Sequence, residues 1–109
     1  MSISTTAFFC GIVNSGFSEL VMDTAKQFGA KGGTVLNARG TVSKEAEKIF
    51  NITIQPEKEI VMILVVERIK DNILQALHTA AGTHSPAQGI AFTLPVESVV
   101  GIGESKTNK

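Results

Sequence analysis

The sequence predicts an α+β fold in which two strand–helix–strand units, in the order βαββαβ, share one sheet. Apolar runs of strand length alternate with apolar stripes at helical spacing, glycine and proline separate these segments, and the whole pattern occurs twice. A length of 109 residues fits one domain. We therefore expect residues 1–109 to form a single ferredoxin-like domain.

The first unit begins with an apolar strand predicted over residues 7–14. Apolar residues then recur at helical spacing between Phe17 and Phe28. Ser15 or Ser18 is expected to cap this helix, and Gly29 to end it. A second strand is predicted over residues 34–39.

The second unit begins with a run, residues 60–66, that is apolar throughout and predicts a central strand covered on both faces. A helical stripe follows from Ile69 to Ala80, with Asp71 near its start and Gly82 at its end. Two helices can cover only one face of the sheet. We therefore expect neighbouring subunits to cover the other face.

The C-terminal part predicts two further strands. Residues 89–94 form the first of them, and Pro95 is expected to end it because proline cannot donate a hydrogen bond to a ladder. A short final strand is predicted over residues 98–102, followed by a polar tail, residues 104–109.

Composition excludes several classes of function. Ten basic and ten acidic residues give no net charge, and the chain has neither Trp nor Tyr. A nucleic-acid interface normally needs a basic excess or aromatic stacking residues, so no nucleic-acid partner is expected.

No apolar run approaches the about 20 residues of a membrane span, and residues 1–7 do not resemble a leader. A cytoplasmic location is predicted.

The sequence offers no arrangement that indicates catalysis or a metal site. It shows no Ser–His–Asp, Cys–His or paired-carboxylate pattern, and Gly32-Gly33 is not followed by the GKS or GKT of a P-loop. Cys10, the single cysteine, lies in an apolar run and is expected in the core. His84 has no Asp or Cys at ligand spacing, and His78 is expected to face solvent.

The segment Gly40–Glu57 is long for a loop in a compact domain, and such loops usually carry function. Ser43 could cap a helical turn with Ala46, Ile49 and Phe50 along one side. This apolar stripe would either engage a partner or pack onto its own domain.

Several segments, taken in order, resemble the PII nitrogen-regulatory proteins. Residues 29–35, followed by Arg39-Gly40, are similar to the stretch that leads into the T-loop of that family, and Lys58 matches a lysine near the nucleotide phosphates. Residues 80–89 and the strands after them are similar to its B-loop and last two strands. The resemblance covers residues 8–103, with a T-loop at 40–57 and a B-loop at 82–89.

This resemblance implies a non-enzymatic homotrimer that binds an adenine nucleotide in clefts between subunits. Its T-loop would regulate a transporter or an enzyme, which includes peripheral contact with a membrane transporter. The implied nucleotide-binding residues on the second and third strands and the T-loop base are Thr34, Arg39, Gly40, Thr41, Lys58, Met62 and Leu64. Those in the B-loop are Thr83, His84, Ala87, Gln88 and Gly89.

The chain departs from the family pattern at three cationic positions. Ile90 replaces the second lysine of the B-loop, and Gly101 and Gly103 replace two arginines of the last strand. Each charge-assisted hydrogen bond lost is worth about 1.5–3 kcal/mol, so ADP or AMP is expected to bind in preference to ATP. The T-loop is also shorter and lacks tyrosine, which excludes tyrosine uridylylation and indicates a divergent member.

Two other ferredoxin-like classes give alternative hypotheses. An amino-acid sensor similar to the ACT domains would form dimers and bind its ligand at a helix-side interface. An acylphosphatase-like hydrolase would need an arginine in the loop after the first strand, and Asn14-Ser15-Gly16 contains none.

Overall fold

A computed structural model describes residues 6–41, 44–50 and 56–100. The described elements are the strands β1 (Thr6–Asn14), β2 (Thr34–Arg39), β3 (Glu57–Val66) and β4 (Ile90–Val96), and the helices α1 (Ser18–Lys26), α2 (Lys44–Phe50) and α3 (Glu67–Ala81). Apart from α2, which lies in the long loop, their order is βαββαβ. The predicted α+β class is confirmed.

The four strands form one antiparallel sheet in the order β2-β3-β1-β4. The two central strands, β1 and β3, pair along their whole described length, from Thr6 opposite Val66 to Asn14 opposite Lys58. This strand order is that of a ferredoxin-like domain. It brings the end of β1 next to the beginning of β3, where the long loop returns to the sheet.

The core lies between one face of the sheet and the helices α1 and α3. Because side chains alternate along a strand, the odd-numbered residues of β1 and β3 point toward the helices. The sheet contributes Ala7, Phe9, Val13, Val61, Ile63 and Val65, and the helices contribute Val21, Ala25, Ile73, Leu77 and Ala81, each less than 6% exposed. We call this side of the sheet the helix face and the other the open face.

The open face carries apolar side chains that no described element of this chain covers. They are Leu36, Leu64, Val66, Ile90, Phe92 and Leu94, and each is between 44% and 54% exposed. Among the residues that the structure describes, β3 is therefore covered on its helix face alone. The apolar run at residues 60–66 predicted that both faces of this strand would need a cover. The open face is the one that remains uncovered by the described residues.

Two predicted boundaries were wrong. Pro95 does not end β4, which continues to Val96, because β4 is an edge strand and an edge tolerates proline. Residues 98–100 form no strand, since a strand needs a partner edge and no described segment pairs with them. The rest of that predicted strand and the tail lie outside the described residues. The helix α3 begins at Glu67, so Asp71 lies near its start, and Gly82 directly follows its last residue, as predicted.

The predicted serine cap of α1 was also wrong. Neither Ser15 nor Ser18 caps the helix with its side chain, and α1 begins at Ser18 with Phe17 as the preceding residue. The cap comes instead from β3, where Glu59 Oε1 accepts hydrogen bonds from the backbone N–H groups of Gly16 and Ser18, both at 3.1 Å. No described helix is long and apolar enough to cross a membrane.

Candidate functional site

The long loop leaves the sheet through a closed base. Arg39 and Glu57 are paired across β2 and β3, and the Gly40 N–H donates to the Pro56 carbonyl oxygen at 2.7 Å. Within the loop Ile49 is 75% exposed, so this residue of the predicted apolar stripe does not pack onto its own domain. Ser43 and the side chains of Ala46 and Phe50 lie outside the described residues.

Lys58 lies on the open face beside this base. Its register partners are Asn14 on β1 and Ala38 on β2. The Lys58 ammonium group donates to Asn14 Oδ1 at 2.7 Å. The aliphatic stem of Lys58 passes close to Gly40, where a Cβ atom would come within 3.0 Å of Lys58 Cε. Glycine at position 40 therefore lets the lysine lie flat across the loop base.

Asn14 connects Lys58 to the predicted B-loop. The Asn14 side chain is 5% exposed, and its amide nitrogen donates to the Pro86 carbonyl oxygen at 3.0 Å and to Gln88 Oε1 at 3.3 Å. The Asn14 backbone N–H donates to the Ala87 carbonyl oxygen at 2.9 Å. Residues 14, 58 and 86–88 thus form one polar cluster at this end of the sheet.

The loop of residues 82–89 is a compact, internally bonded turn. Ser85 Oγ donates to the Gly82 carbonyl oxygen at 2.8 Å and accepts from the Ala87 N–H at 3.2 Å. The Gly89 N–H donates to the Ala81 carbonyl oxygen at 2.7 Å, and Ala87 is fully buried. Gln88 adopts φ +48°, in the left-handed region that non-glycine residues seldom occupy. The loop is therefore held at both ends and strained at Gln88.

The predicted site residues do not all converge on this cluster. By strand alternation Thr34, Met62 and Leu64 share the open face with Lys58, whereas Arg39 lies on the helix face. Met62 is about 13 Å and Leu64 about 20 Å along the strand from Lys58, at about 3.3 Å per residue. Gly40 adjoins Lys58, and exposed Thr41 follows it at the loop base.

The two halves of the loop at 82–89 face different surroundings. Ala87, Gln88 and Gly89 lie in the half that contacts Asn14 or Ala81. Thr83 and His84 lie in the other half, at the end of α3, where both are exposed. The His84 and His78 rings make an edge-to-face contact with their centroids 5.5 Å apart. No group of three His, Cys, Asp or Glu side chains suited to a metal occurs among the described residues.

A second concave region lies on the helix face, between α3, β1 and the beginning of β4. This cavity measures about 240 Å³, and most of its lining is apolar, including Val13, Val21, Leu74 and Leu77. Thr83 and Gly89 of the loop also line it. It opens on the opposite side of the sheet from Lys58, so the cavity and the polar cluster are separate.

Two titratable groups have displaced pKa values for clear reasons. Burial raises the pKa of Glu59, but hydrogen bonds from the Ser18 side chain and from backbone N–H groups at the start of α1 outweigh it, so the pKa lies below its ordinary value of 4.5. Burial raises the pKa of the Cys10 thiol. Cys10 is 8% exposed, which confirms that it is buried, although strand alternation places it on the open face and outside the core cluster of the helix face.

Sequence reasoning missed Asn14 and Glu59. Asn14 is the polar residue that ends the apolar run of β1, and a polar side chain at such a position needs buried partners. This signal was present in the sequence. Glu59 precedes an apolar strand among other charged residues, and no local pattern connects it to a helix 41 residues earlier.

The sheet order and the two helices on one face define the class of this protein, a ferredoxin-like α+β domain with a long loop between β2 and β3. The family model described as Nitrogen regulatory protein P-II matches residues 11–106. The chain therefore belongs to the P-II family, whose members are signalling regulators, and it is a divergent member. No curated protein gives a significant match.

Solved structures with the same fold are similar to this chain at low sequence identity. A protein described as PII-like from Thermus thermophilus is 23% identical, with a TM-score of 0.65, and the match covers 88% of this chain and 90% of that one. GlnK of B. subtilis in complex with ATP is 17% identical, with a TM-score of 0.64 and coverage of 87% and 85%. CPII of Thiomonas intermedia, bound to ADP, AMP and bicarbonate, is 17% identical, with a TM-score of 0.63 and coverage of 88% and 97%.

Proposed function

We propose that this protein is a non-enzymatic, cytoplasmic signalling protein that binds an adenine nucleotide beside Lys58 and the loop of residues 82–89. The observation that supports this proposal most directly is the polar cluster, in which the side chain of Asn14 connects the Lys58 ammonium group to the loop of residues 82–89. A lysine ammonium group forms charge-assisted hydrogen bonds with phosphate oxygens. The nucleotides named for GlnK and CPII support the choice of ligand class.

The proposed nucleotide preference is ADP or AMP over ATP. Lys58 is the cation of the cluster among the described residues, because Arg39 lies on the helix face of β2 and Ile90 stands where the family has a second lysine. One ammonium group neutralises one phosphate charge well and a triphosphate poorly. The preference follows from this shortage of positive charge.

The proposed assembly is a homotrimer in which the open faces of the sheets pack against each other. Six half-exposed apolar side chains in one patch are more than a monomeric protein of this size normally leaves in water. A second copy of the same face is apolar too, so packing copies together would bury the patch. The loop of residues 40–57 stays outside this contact and would bind a transporter or an enzyme.

The nucleotide proposal is tested by calorimetry with ATP, ADP and AMP on the wild type and on Lys58→Met. Loss of one charge-assisted contact is worth about 1.5–3 kcal/mol, so the affinity for ADP should fall by about 10- to 150-fold. Lys31→Met, at an exposed position outside the cluster, is the matched control and should bind like the wild type. Absence of binding heat from all three nucleotides in the wild type would defeat the proposal.

The assembly is tested by native mass spectrometry, in which a trimer has about three times the chain mass of 11.6 kDa. Leu94→Lys places a charge in the open-face patch and should give monomers. Ile49→Lys introduces the same charge on exposed α2 and should leave the trimer intact. A dimer would instead favour the sensor of ACT type, and a wild-type monomer would exclude both assemblies.

A further inference from the structure

Asn14 is a nearly buried polar side chain whose three hydrogen bonds run to two different parts of the chain. Its carbonyl oxygen accepts a hydrogen bond from the Lys58 ammonium group. Its amide nitrogen donates to the Pro86 carbonyl oxygen and to Gln88 Oε1. The reverse orientation of the amide would point its N–H donors at an ammonium group and its oxygen at a carbonyl oxygen. The chemistry of the partners therefore fixes the orientation.

We propose that Asn14 is a positioning residue that couples the occupancy of Lys58 to the conformation of the loop at 82–89. This inference rests on the proposed nucleotide site, because it assigns a role to the contacts behind that site. An ammonium group has three N–H donors, and Asn14 is its one hydrogen-bond partner among the described residues. Two donors remain through which an anionic ligand can bind the ammonium group and then compete with Asn14 Oδ1 for it.

The conformation of the loop at 82–89 depends on its contacts with Asn14. Gln88 is held at φ +48°, and its side chain is bound by the Asn14 amide. A left-handed conformation at a non-glycine residue persists only where surrounding contacts hold it. When an anion draws Lys58 away from Asn14 Oδ1, the Asn14 side chain gains freedom to turn. The bonds to Pro86 and Gln88 then weaken together.

The first test uses no nucleotide. Hydrogen exchange is measured at the Gln88 and Gly89 amides, which donate to Ser85 and Ala81 within or beside the loop. Lys58→Met leaves Asn14 and the loop unchanged in sequence, and coupling predicts exchange about 5-fold faster or more at both amides. Lys31→Met is the control and should exchange like the wild type. A purely structural Asn14 would leave the loop unaffected by Lys58→Met, and that result would overturn the inference.

Asn14→Asp separates the contact of this residue with Lys58 from its contacts with the loop at 82–89. The carboxylate still accepts from Lys58 but cannot donate to Pro86 or Gln88. We expect fast loop exchange in this variant, as in Asn14→Ala. Slow exchange in Asn14→Asp would show that the amide bonds do not hold the loop and would also overturn the inference.

The second test is a double-mutant cycle on ADP affinity with Asn14→Ala, Lys58→Met and the double variant. If Asn14 acts through Lys58, the double variant should bind about as weakly as Lys58→Met alone, whereas independent roles would multiply the two losses. A wild type that binds no nucleotide would remove the proposed function, and the exchange test would still decide the coupling. ADP binding combined with unchanged loop exchange in Lys58→Met would retain the function and reject the coupling.

Discussion

Two substitutions test the cap that Glu59 provides for α1, one that removes it and one that only weakens it. Glu59→Ala removes an acceptor of two backbone hydrogen bonds at 3.1 Å. Loss of a helix cap costs about 0.5–2 kcal/mol, so we expect the free energy of unfolding to fall by about 1–2 kcal/mol. Glu59→Gln keeps an acceptor and loses the charge at the helix N-terminus, a loss of about 0.3–1 kcal/mol.

The lowered pKa of Glu59 predicts how the stabilisation by this residue changes with pH. The pKa of Glu59 is lower in the folded chain than its ordinary value of 4.5. Its stabilising contribution is therefore fully present above that pH and is lost as the pH falls from there through the folded pKa. Glutamine does not titrate, so Glu59→Gln lacks the loss of stability that protonation of Glu59 causes in the wild type. The difference in the free energy of unfolding between wild type and variant should therefore narrow as the pH falls below 4.5.

Thermal unfolding at one fixed protein concentration measures the effect, because any oligomer makes the midpoint depend on concentration. A loss of 1 kcal/mol should lower Tm by about 4–8 °C in a chain of this size. Glu57→Gln is the matched control, at an exposed position two residues earlier on the same strand. Equal effects of the two substitutions at pH 7, or a difference between wild type and Glu59→Gln that does not change with pH, would refute the capping role.

Two further predictions concern packing. Gly89→Ala should lower the free energy of unfolding by about 1–3 kcal/mol, because its Cβ would collide with the Ala81 carbonyl oxygen and lie 2.9 Å from Val13 Cγ1. Gly32→Ala, with nothing within 4 Å, should change it by less than about 0.5 kcal/mol in the same denaturant titration, and equal effects would contradict this packing. Cys10 should react with a thiol reagent on the order of 100-fold more slowly in the folded chain than in denaturant, because burial shields the thiol and raises its pKa. Fast labelling without denaturant would show that β1 is not packed as described.

The order of elements was predictable because the core imposes a period on the sequence. The strand β1 appears in the sequence as an unbroken apolar run, and α1 and α3 appear as apolar residues at helical spacing, so both patterns are visible in the residues themselves. The beginning of β3 was not visible in this way. Glu57, Lys58 and Glu59 are polar, so the apolar run begins only at Ile60, although their backbone already pairs with β2.

The candidate site was less predictable than the fold because its contacts join distant parts of the chain. Asn14 and Lys58 are 44 residues apart, and Asn14 and Gln88 are 74 apart. The resemblance to a family suggested Lys58 and the loop at 82–89 as separate elements. Only the strand register shows that one side chain of β1 lies between them.

Lys58 and Glu59 are neighbours of opposite charge on opposite faces of one strand. Sliding β3 by a single residue would exchange them, placing a carboxylate beside the proposed phosphate site and an ammonium group against the positive end of α1. Both exchanges are unfavourable, so two electrostatic requirements favour the observed alignment of β3 with β1. The place where the long loop leaves and rejoins the sheet is therefore determined by residues of the strands themselves.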